Sequence, residues 1–109
     1  MAFYTYILAS ERNGTHYVGS TDNLAKRVWD HKVGAGSIFT AKHAVKLLVW
    51  FEQHETREGA FRRERRIEEW RRLWKLELIE RSNPGWLDLY ETYHPQKTWV
   101  PAFAGMSGF

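Results

Sequence analysis

The chain contains no cysteine. Disulfides, thiol catalysis and cysteine-ligated zinc are therefore excluded, and a reducing, cytoplasmic setting is expected. No apolar run approaches the roughly 18 residues that a membrane-crossing helix needs, so no membrane partner is expected. The opening Met1-Ala2-Phe3-Tyr4-Thr5-Tyr6-Ile7-Leu8 has neither the basic start nor the small-residue cleavage site of a secretory signal. An excess of one charge is also lacking: 16 Lys and Arg against 13 Asp and Glu leave +3 at pH 7, with a pI near 9.3. Such a balance is compatible with a nucleic-acid partner but is shared by many proteins that bind none.

What the chain does have is bulk. Its 109 residues suffice for one domain with a modest core. A hydrophobic content of 43% and a mean hydropathy of -0.57 are ordinary for a soluble globular protein. Aromatic residues make up 16%, with six Trp, so a few large side chains supply much of the core volume.

The chain is organised around residues 16–31. This stretch begins as a strand, stops at Gly19, and restarts as a helix capped at Ser20, Thr21 or Asp22, all good N-cap types. At about 100° per residue, Leu24 and Val28 form an apolar edge. Arg27 and His31, four residues apart, lie on or beside that edge. A surface helix normally turns its charges away from its apolar stripe, so these two lean unusually towards the protein. Tyr17 ends the strand that feeds the helix. A phenol, a guanidinium and an imidazole can thus converge on one concavity.

Residues 3–9 read as a first strand, rich in aromatic and β-branched types. Glu11-Arg12-Asn13-Gly14 is a turn, carrying the strongest short hairpin signal. A four-residue loop there sets Leu8 opposite Tyr17 and Tyr6 opposite Gly19. By alternation of faces, Tyr6 and Tyr17 then look the same way, roughly 7 Å apart. A two-residue turn keeps the shared face and separates them further. Core packing and a shared functional face are both open to this pair. The helix is expected over about 22–33, ending at Gly34 or Gly36, with a loop to His43. Residues 45–52 form a third strand, nearly continuous in apolar types and so expected to be central.

A long helix is expected from Glu55 to about Trp74. Ala60, Ile67, Trp74 and Leu78 share its apolar stripe, with Arg62, Arg65, Arg66 and Arg72 largely opposite. Glu64 sits four after Ala60 and three before Ile67, on the edge of the buried stripe. A carboxylate there must be paired, hydrogen-bonded or metal-bound, and Arg71 is the nearby candidate for a salt bridge. Glu68 and Glu69 are expected to point outward. The interleaved Arg and Glu residues fit a solvated, ion-paired face at least as well as a nucleic-acid surface. A short helix over 75–80 stops at Ser82-Asn83-Pro84-Gly85. Trp86, Leu87, Leu89 and Tyr90 form an apolar closing segment. Residues 1–93 are expected as the domain and 94–109 as a poorly ordered tail.

Tyr4-Thr5-Tyr6-Ile7-Leu8, then Tyr17-Val18-Gly19, then Arg27 and His31, then a helix carrying Glu64: this order resembles the GIY-YIG nuclease domain, and most of all its small stand-alone bacterial members. Ala60 to Ile67 and Leu78 to Trp86 echo their later segments. The resemblance spans about residues 3–90. It implies an α+β fold, a small three-stranded antiparallel sheet flanked by helices. It also implies a metal-dependent endonuclease acting on DNA, in repair or recombination, with one Mg2+ (or Mn2+) and no small-molecule cofactor. Tyr6 matches the first motif's tyrosine, although Tyr-Thr-Tyr stands where Gly-Ile-Tyr names the family. Tyr17 matches the tyrosine that helps to activate water, Arg27 the phosphate-binding arginine, His31 the residue one turn later, and Glu64 the metal-ligating glutamate. Some relatives carry a lysine after the second glycine, where this chain has Ser20.

These residue types suit the chemistry. Arginine offers two parallel donors to phosphate oxygens. Magnesium keeps several waters and can rest on one carboxylate beside a phosphate. With a pKa of about 10, tyrosine is only about one part in a thousand ionised at neutral pH. Either Arg27 and the metal favour the phenolate, or Tyr17 takes a proton from water while passing its own to a metal-bound hydroxide or to His31. The alternative reading is a nucleic-acid binding module of the same fold that does not cleave. Tyr17, Arg27 and Glu64 together argue against it. The residues leave open whether the substrate is branched, nicked, single-stranded or RNA.

Overall fold

The computed structural model describes residues 2–93, and the expected tail at 94–109 lies outside them. Strand β1 (Phe3–Ala9) turns into strand β2 (His16–Thr21) through a loop closed by Ser10 N donating to Thr15 O at 3.0 Å and Gly14 N donating to Glu11 O at 2.9 Å. Asn13 sits there at φ 61°, a conformation that Asn tolerates better than most residues. The strands are antiparallel, with Tyr6 opposite Gly19 and Leu8 opposite Tyr17. This is the register of a four-residue loop.

Helix α1 (Leu24–Lys32) is capped by Asn23, whose side chain accepts from Lys26 N. The cap expected at Ser20, Thr21 or Asp22 falls later because the strand runs on through Thr21. The Thr21 hydroxyl instead braces the turn by accepting from Asn23 N at 3.0 Å. At the other end Gly34 N donates to His31 O and Ala35 N to Asp30 O, with Gly34 at φ 83°, the hydrogen-bond pattern of a Schellman closure. The segment expected as a loop holds a short helix, α2 (Ile38–Lys42), capped by the Ser37 hydroxyl.

Strand β3 (Leu47–His54) pairs antiparallel with β1, giving the order β2-β1-β3. The apolar run expected to mark the central strand therefore belongs to an edge strand, and β1 is central. The physical reason is that both faces of the sheet are covered. Tyr6, Leu8, Leu24, Val28, Leu48 and Tyr90 pack on one face; Ile7, Val18, Trp50, Ile67, Ile79 and Trp86 pack on the other. An edge strand between two covered faces is apolar on both sides.

The outer edge of β3 is covered too. Leu89 N donates to Leu48 O at 2.7 Å, Leu48 N to Asp88 Oδ1 at 3.1 Å, and Asn83 Nδ2 to Val49 O at 3.1 Å. The short helix α5 (Tyr90–Tyr93) follows.

The long helix expected over 55–74 is two helices, α3 (Arg57–Glu68) and α4 (Arg72–Ser82). No Gly or Pro marks the break. Trp70 turns in against the second apolar cluster, and Arg71 is extended at φ -62°, ψ 151°. Burying Trp70 and redirecting Ile79 into the core outweigh the helical propensity of a continuous run. Trp74, expected on the buried stripe, is 49% exposed, while Ala60 and Ile67 are buried. Within the core, Thr5 Oγ1 donates to Ala60 O at 2.8 Å, which fixes α3 across the sheet. No helix among the described residues is long and apolar enough to cross a membrane.

Candidate active site

Tyr6 and Tyr17 share the sheet face that α1 covers, with ring centroids 6.4 Å apart. His31 reaches them from the last turn of α1, at 6.0 Å from the Tyr6 ring and 5.1 Å from the Tyr17 ring. Its Nε2 lies 3.2 Å from the Tyr6 hydroxyl, and its Nδ1 lies 3.0 Å from Thr40 Oγ1. Thr40 Oγ1 in turn meets Ser37 Oγ at 2.9 Å. Tyr6, His31 and Thr40 are all buried, so this chain of polar groups is sealed in the interior. Both His31 nitrogens are engaged, and neither is open to Tyr17.

Two glycines make room for the cluster. A Cβ at Gly19 would stand 2.6 Å from the Tyr6 hydroxyl, and one at Gly36 would stand 2.2 Å from His31 Nδ1. Both distances are shorter than contact allows. The glycine that ends the second motif thus clears the space for the tyrosine of the first.

Arg27 is exposed on α1 and pairs with no carboxylate among the described residues. Glu64 comes from α3, on the opposite face of the sheet, and is half-buried. Its Oε1 accepts from Ser20 Oγ at 2.7 Å. The salt bridge to Arg71 does not form; Arg71 lies beside the Trp74 ring instead, at 5.9 Å. Ser20 follows Gly19 in β2, which has no strand partner on its outer side among the described residues. The constellation therefore straddles the free edge of the sheet, with the tyrosines and His31 on one face and Glu64 arriving from the other.

Electrostatically, Arg27 acts on both tyrosines and on His31, and Glu64 acts on both tyrosines. Burial pushes Tyr6 well above the usual phenol range, with a further rise from Tyr17 and Glu64, against a lowering by Arg27. Tyr17 is raised by burial first, then by Glu64 and Glu68, again with Arg27 opposing. Burial lowers His31, Arg27 lowers it further, and Asp30 offsets part of this. Arg27 favours the Tyr17 phenolate, as expected, but burial and the two carboxylates outweigh it. At rest both phenols are protonated and His31 is neutral.

Glu68, expected to point outward, is exposed, yet it is coupled to the cluster. Its carboxyl is raised by burial and by the charge of Glu64, and its charge reaches Tyr17. Its spacing of four from Glu64 was the available signal. Nothing local identified Ser20 as the residue that holds Glu64, or Thr40 as the partner of His31.

The family model described as the GIY-YIG catalytic domain matches residues 2–77. The chain belongs to the GIY-YIG family. GIY-YIG domains are nuclease domains, and the three-stranded antiparallel sheet with flanking helices is their α+β architecture. A UPF0213 protein of Staphylococcus haemolyticus is 34% identical over 77 residues, covering 71% of this chain and 93% of the relative. One from Clostridium perfringens is 38% identical over 76 residues, covering 70% and 81%. The solution NMR structure of a UPF0213 protein from Bacillus halodurans superposes with a TM-score of 0.51 at 25% identity, covering 85% of this chain and 98% of that one. Small stand-alone GIY-YIG proteins are thus its relatives.

Proposed function

We propose that this GIY-YIG chain is an endonuclease that hydrolyses phosphodiester bonds in DNA with the help of one divalent ion. The observation that carries the reading is Glu64, a half-buried carboxylate whose charge acts on both tyrosines and which has no ion-pair partner among the described residues. Among these residues no cluster of three or more acidic or histidine side chains exists, so an ion here would rest on Glu64. Ser20 occupies one carboxylate oxygen and leaves the other available. The nearby Glu68 is raised by burial first and then by the Glu64 charge, against Arg65 and Lys75, and a cation between the two carboxylates would relieve that repulsion. These features fit magnesium or manganese, which accept few protein oxygens and keep their waters. When bound, such an ion neutralises charge that builds on the phosphate and the leaving oxygen.

The chain's own residues supply the rest. Arg27, exposed and without a carboxylate partner among the described residues, holds two non-bridging phosphate oxygens through its parallel donors. Water attacks phosphorus as the bond to the leaving oxygen breaks. The water proton passes to the Tyr17 oxygen, and the Tyr17 hydroxyl proton moves on to Glu68, whose raised carboxyl suits an acceptor. A protonated resting Tyr17 supports this relay over a standing phenolate. The engaged nitrogens of His31 support a carboxylate acceptor over the imidazole. Tyr6 and His31 then act as positioning residues that hold the Tyr17 ring.

Incubation with labelled DNA and RNA of several architectures, with magnesium, manganese or chelator, tests the reading. Metal-dependent cleavage of DNA, abolished in Tyr17→Phe, is the expected result. Tight binding with no cleavage under any metal would show a binding module and overturn the reading.

A further inference from the structure

The row of rings at the site does not stop in the interior. Tyr17 pairs with the Phe39 ring at 6.5 Å, with 30° between the planes, and Phe39 pairs with His43 at 4.6 Å. Tyr6 is buried and Tyr17 half-buried, whereas Phe39 is 45% exposed and His43 is exposed. A single exposed aromatic is unremarkable. This one is packed against the tyrosine that faces the attacking water.

Phe39 is also held firmly for a residue of a five-residue helix, which by itself would be unstable. Its neighbour Thr40 is bonded to His31 Nδ1 at 3.0 Å, and Thr40 O accepts from Val45 N at 2.9 Å. The Ser37 hydroxyl accepts from Thr40 N. The site therefore fixes the ring in advance, which lowers the entropic cost of binding to it. The surroundings suit a polyanion. From His31 to Phe51 the chain has no Asp or Glu, and Lys42 and His43 flank the ring on the surface. Arg27 stands one turn before His31 on the neighbouring α1. Cations that hold phosphates around an open aromatic face are the combination that binds unpaired strands. A second copy of the chain fits worse, because a symmetric contact here would set Lys42 and His43 near their own copies.

We infer that Phe39, flanked by His43, is a stacking shelf for one nucleobase of the bound strand, beside the phosphate that faces Tyr17. The inference rests on the nuclease reading for the identity of the ligand. Bases inside a duplex are stacked on their neighbours, so the shelf takes a base that is unpaired or drawn out of the stack. Every base has a flat face, so the shelf adds affinity without sequence preference.

The test measures binding of a short fluorescein-labelled single strand of thymidines in chelator, against the same strand with its bases removed. The full chain, Phe39→Leu, Phe39→Trp and Arg27→Ala are compared over a salt series, with thermal melts to show that each is folded. Phe39→Leu should weaken binding of the base-bearing strand about tenfold, leave the abasic strand unchanged and keep the salt slope, since the ring carries no charge. Phe39→Trp should restore the affinity, and Arg27→Ala should weaken both strands and flatten the slope. In the unmodified chain, NMR should show the Phe39 ring signals shifted more by the base-bearing strand than by the abasic one. Phe39→Leu equal to the unmodified chain on both strands, with weakening in Arg27→Ala, would overturn the shelf and leave the nuclease reading intact. Equal losses on both strands would also overturn it, as the mark of a displaced α2. No binding of either strand by the unmodified chain would remove both readings. If sedimentation shows a dimer that Phe39→Leu dissociates, the face pairs two copies and the shelf fails.

Discussion

The two edges of the sheet are built for opposite purposes. At the β3 edge, the segment from Asn83 to Leu89 takes up the outer backbone groups of Leu48 and Val49, and Lys32 bonds to Asp88 behind it. An exposed edge is a liability for aggregation, and here it is closed by the chain itself. At the β2 edge no strand is added among the described residues. Instead, that edge carries Gly19, Ser20 and the side chains gathered around them, including Arg27 and Glu64, neither of which has an ion-pair partner among the described residues. Stability is concentrated where the sheet is closed, and unsatisfied charge where it is open. Natural proteins keep such locally unfavourable arrangements mainly at functional sites.

The comparison breaks or sharpens through variants that separate stability from chemistry. The largest effect is expected from Glu64→Gln at the open edge. Metal-dependent cleavage should fall about a thousandfold or more, while the thermal midpoint holds or rises, because no basic group depends on the carboxylate. Melting and cleavage on one sample decide it, and a folded variant that still cleaves with magnesium would remove Glu64 from the site. The closed edge should behave in reverse. Asn83 is 4% exposed; it donates to Val49 O and Leu87 O and accepts from Leu87 N. Asn83→Ala should cost about 2–4 kcal/mol in urea unfolding and leave the reaction rate of the folded fraction near wild type. A loss of rate with no loss of stability would contradict the division between the edges.

Acid should weaken the open edge next. Burial, with Arg72 and Lys75, lowers His16 from 6.5 to about 4, and His31 moves in the same direction. A base held neutral in the fold binds its proton more readily when unfolded, so its contribution is complete above 6.5 and is lost as pH falls through about 4. Screening at this partly exposed site reduces the His16 share to about 2 kcal/mol. Urea midpoints against pH should slope down over that window and flatten in His16→Gln; the same slope in both would remove His16 as the cause. The smallest change is expected from Ser20→Ala. Releasing one oxygen of Glu64 should lower cleavage about tenfold and move stability by less than about 1 kcal/mol. Cleavage equal to wild type would show that Glu64 needs no such support.

What the sequence determined by itself was local. Strict alternation set the shared face of the two tyrosines for either hairpin loop, and the structure adopts the four-residue loop that puts Tyr6 opposite Gly19. Period 3.6 placed Arg27 and His31 beside Leu24 and Val28, and Gly34 and Gly36 were the two glycines that could end α1, of which Gly34 does. Glu64 stood out because a carboxylate beside Ala60 and Ile67 violates the pattern of its own helix. Tertiary structure decided the rest. The apolar run of β3 reported two covered faces rather than a central position, since burial on a face and pairing at an edge are independent. The break after Glu68 came from the burial of Trp70, a contact with distant residues that carries no local punctuation. Ser20 with Glu64, His31 with Thr40, and His16 with Arg72 and Lys75 join segments whose spacing encodes nothing about their meeting. Sequence periodicity reports which way a side chain faces its own element; only packing decides what stands opposite it.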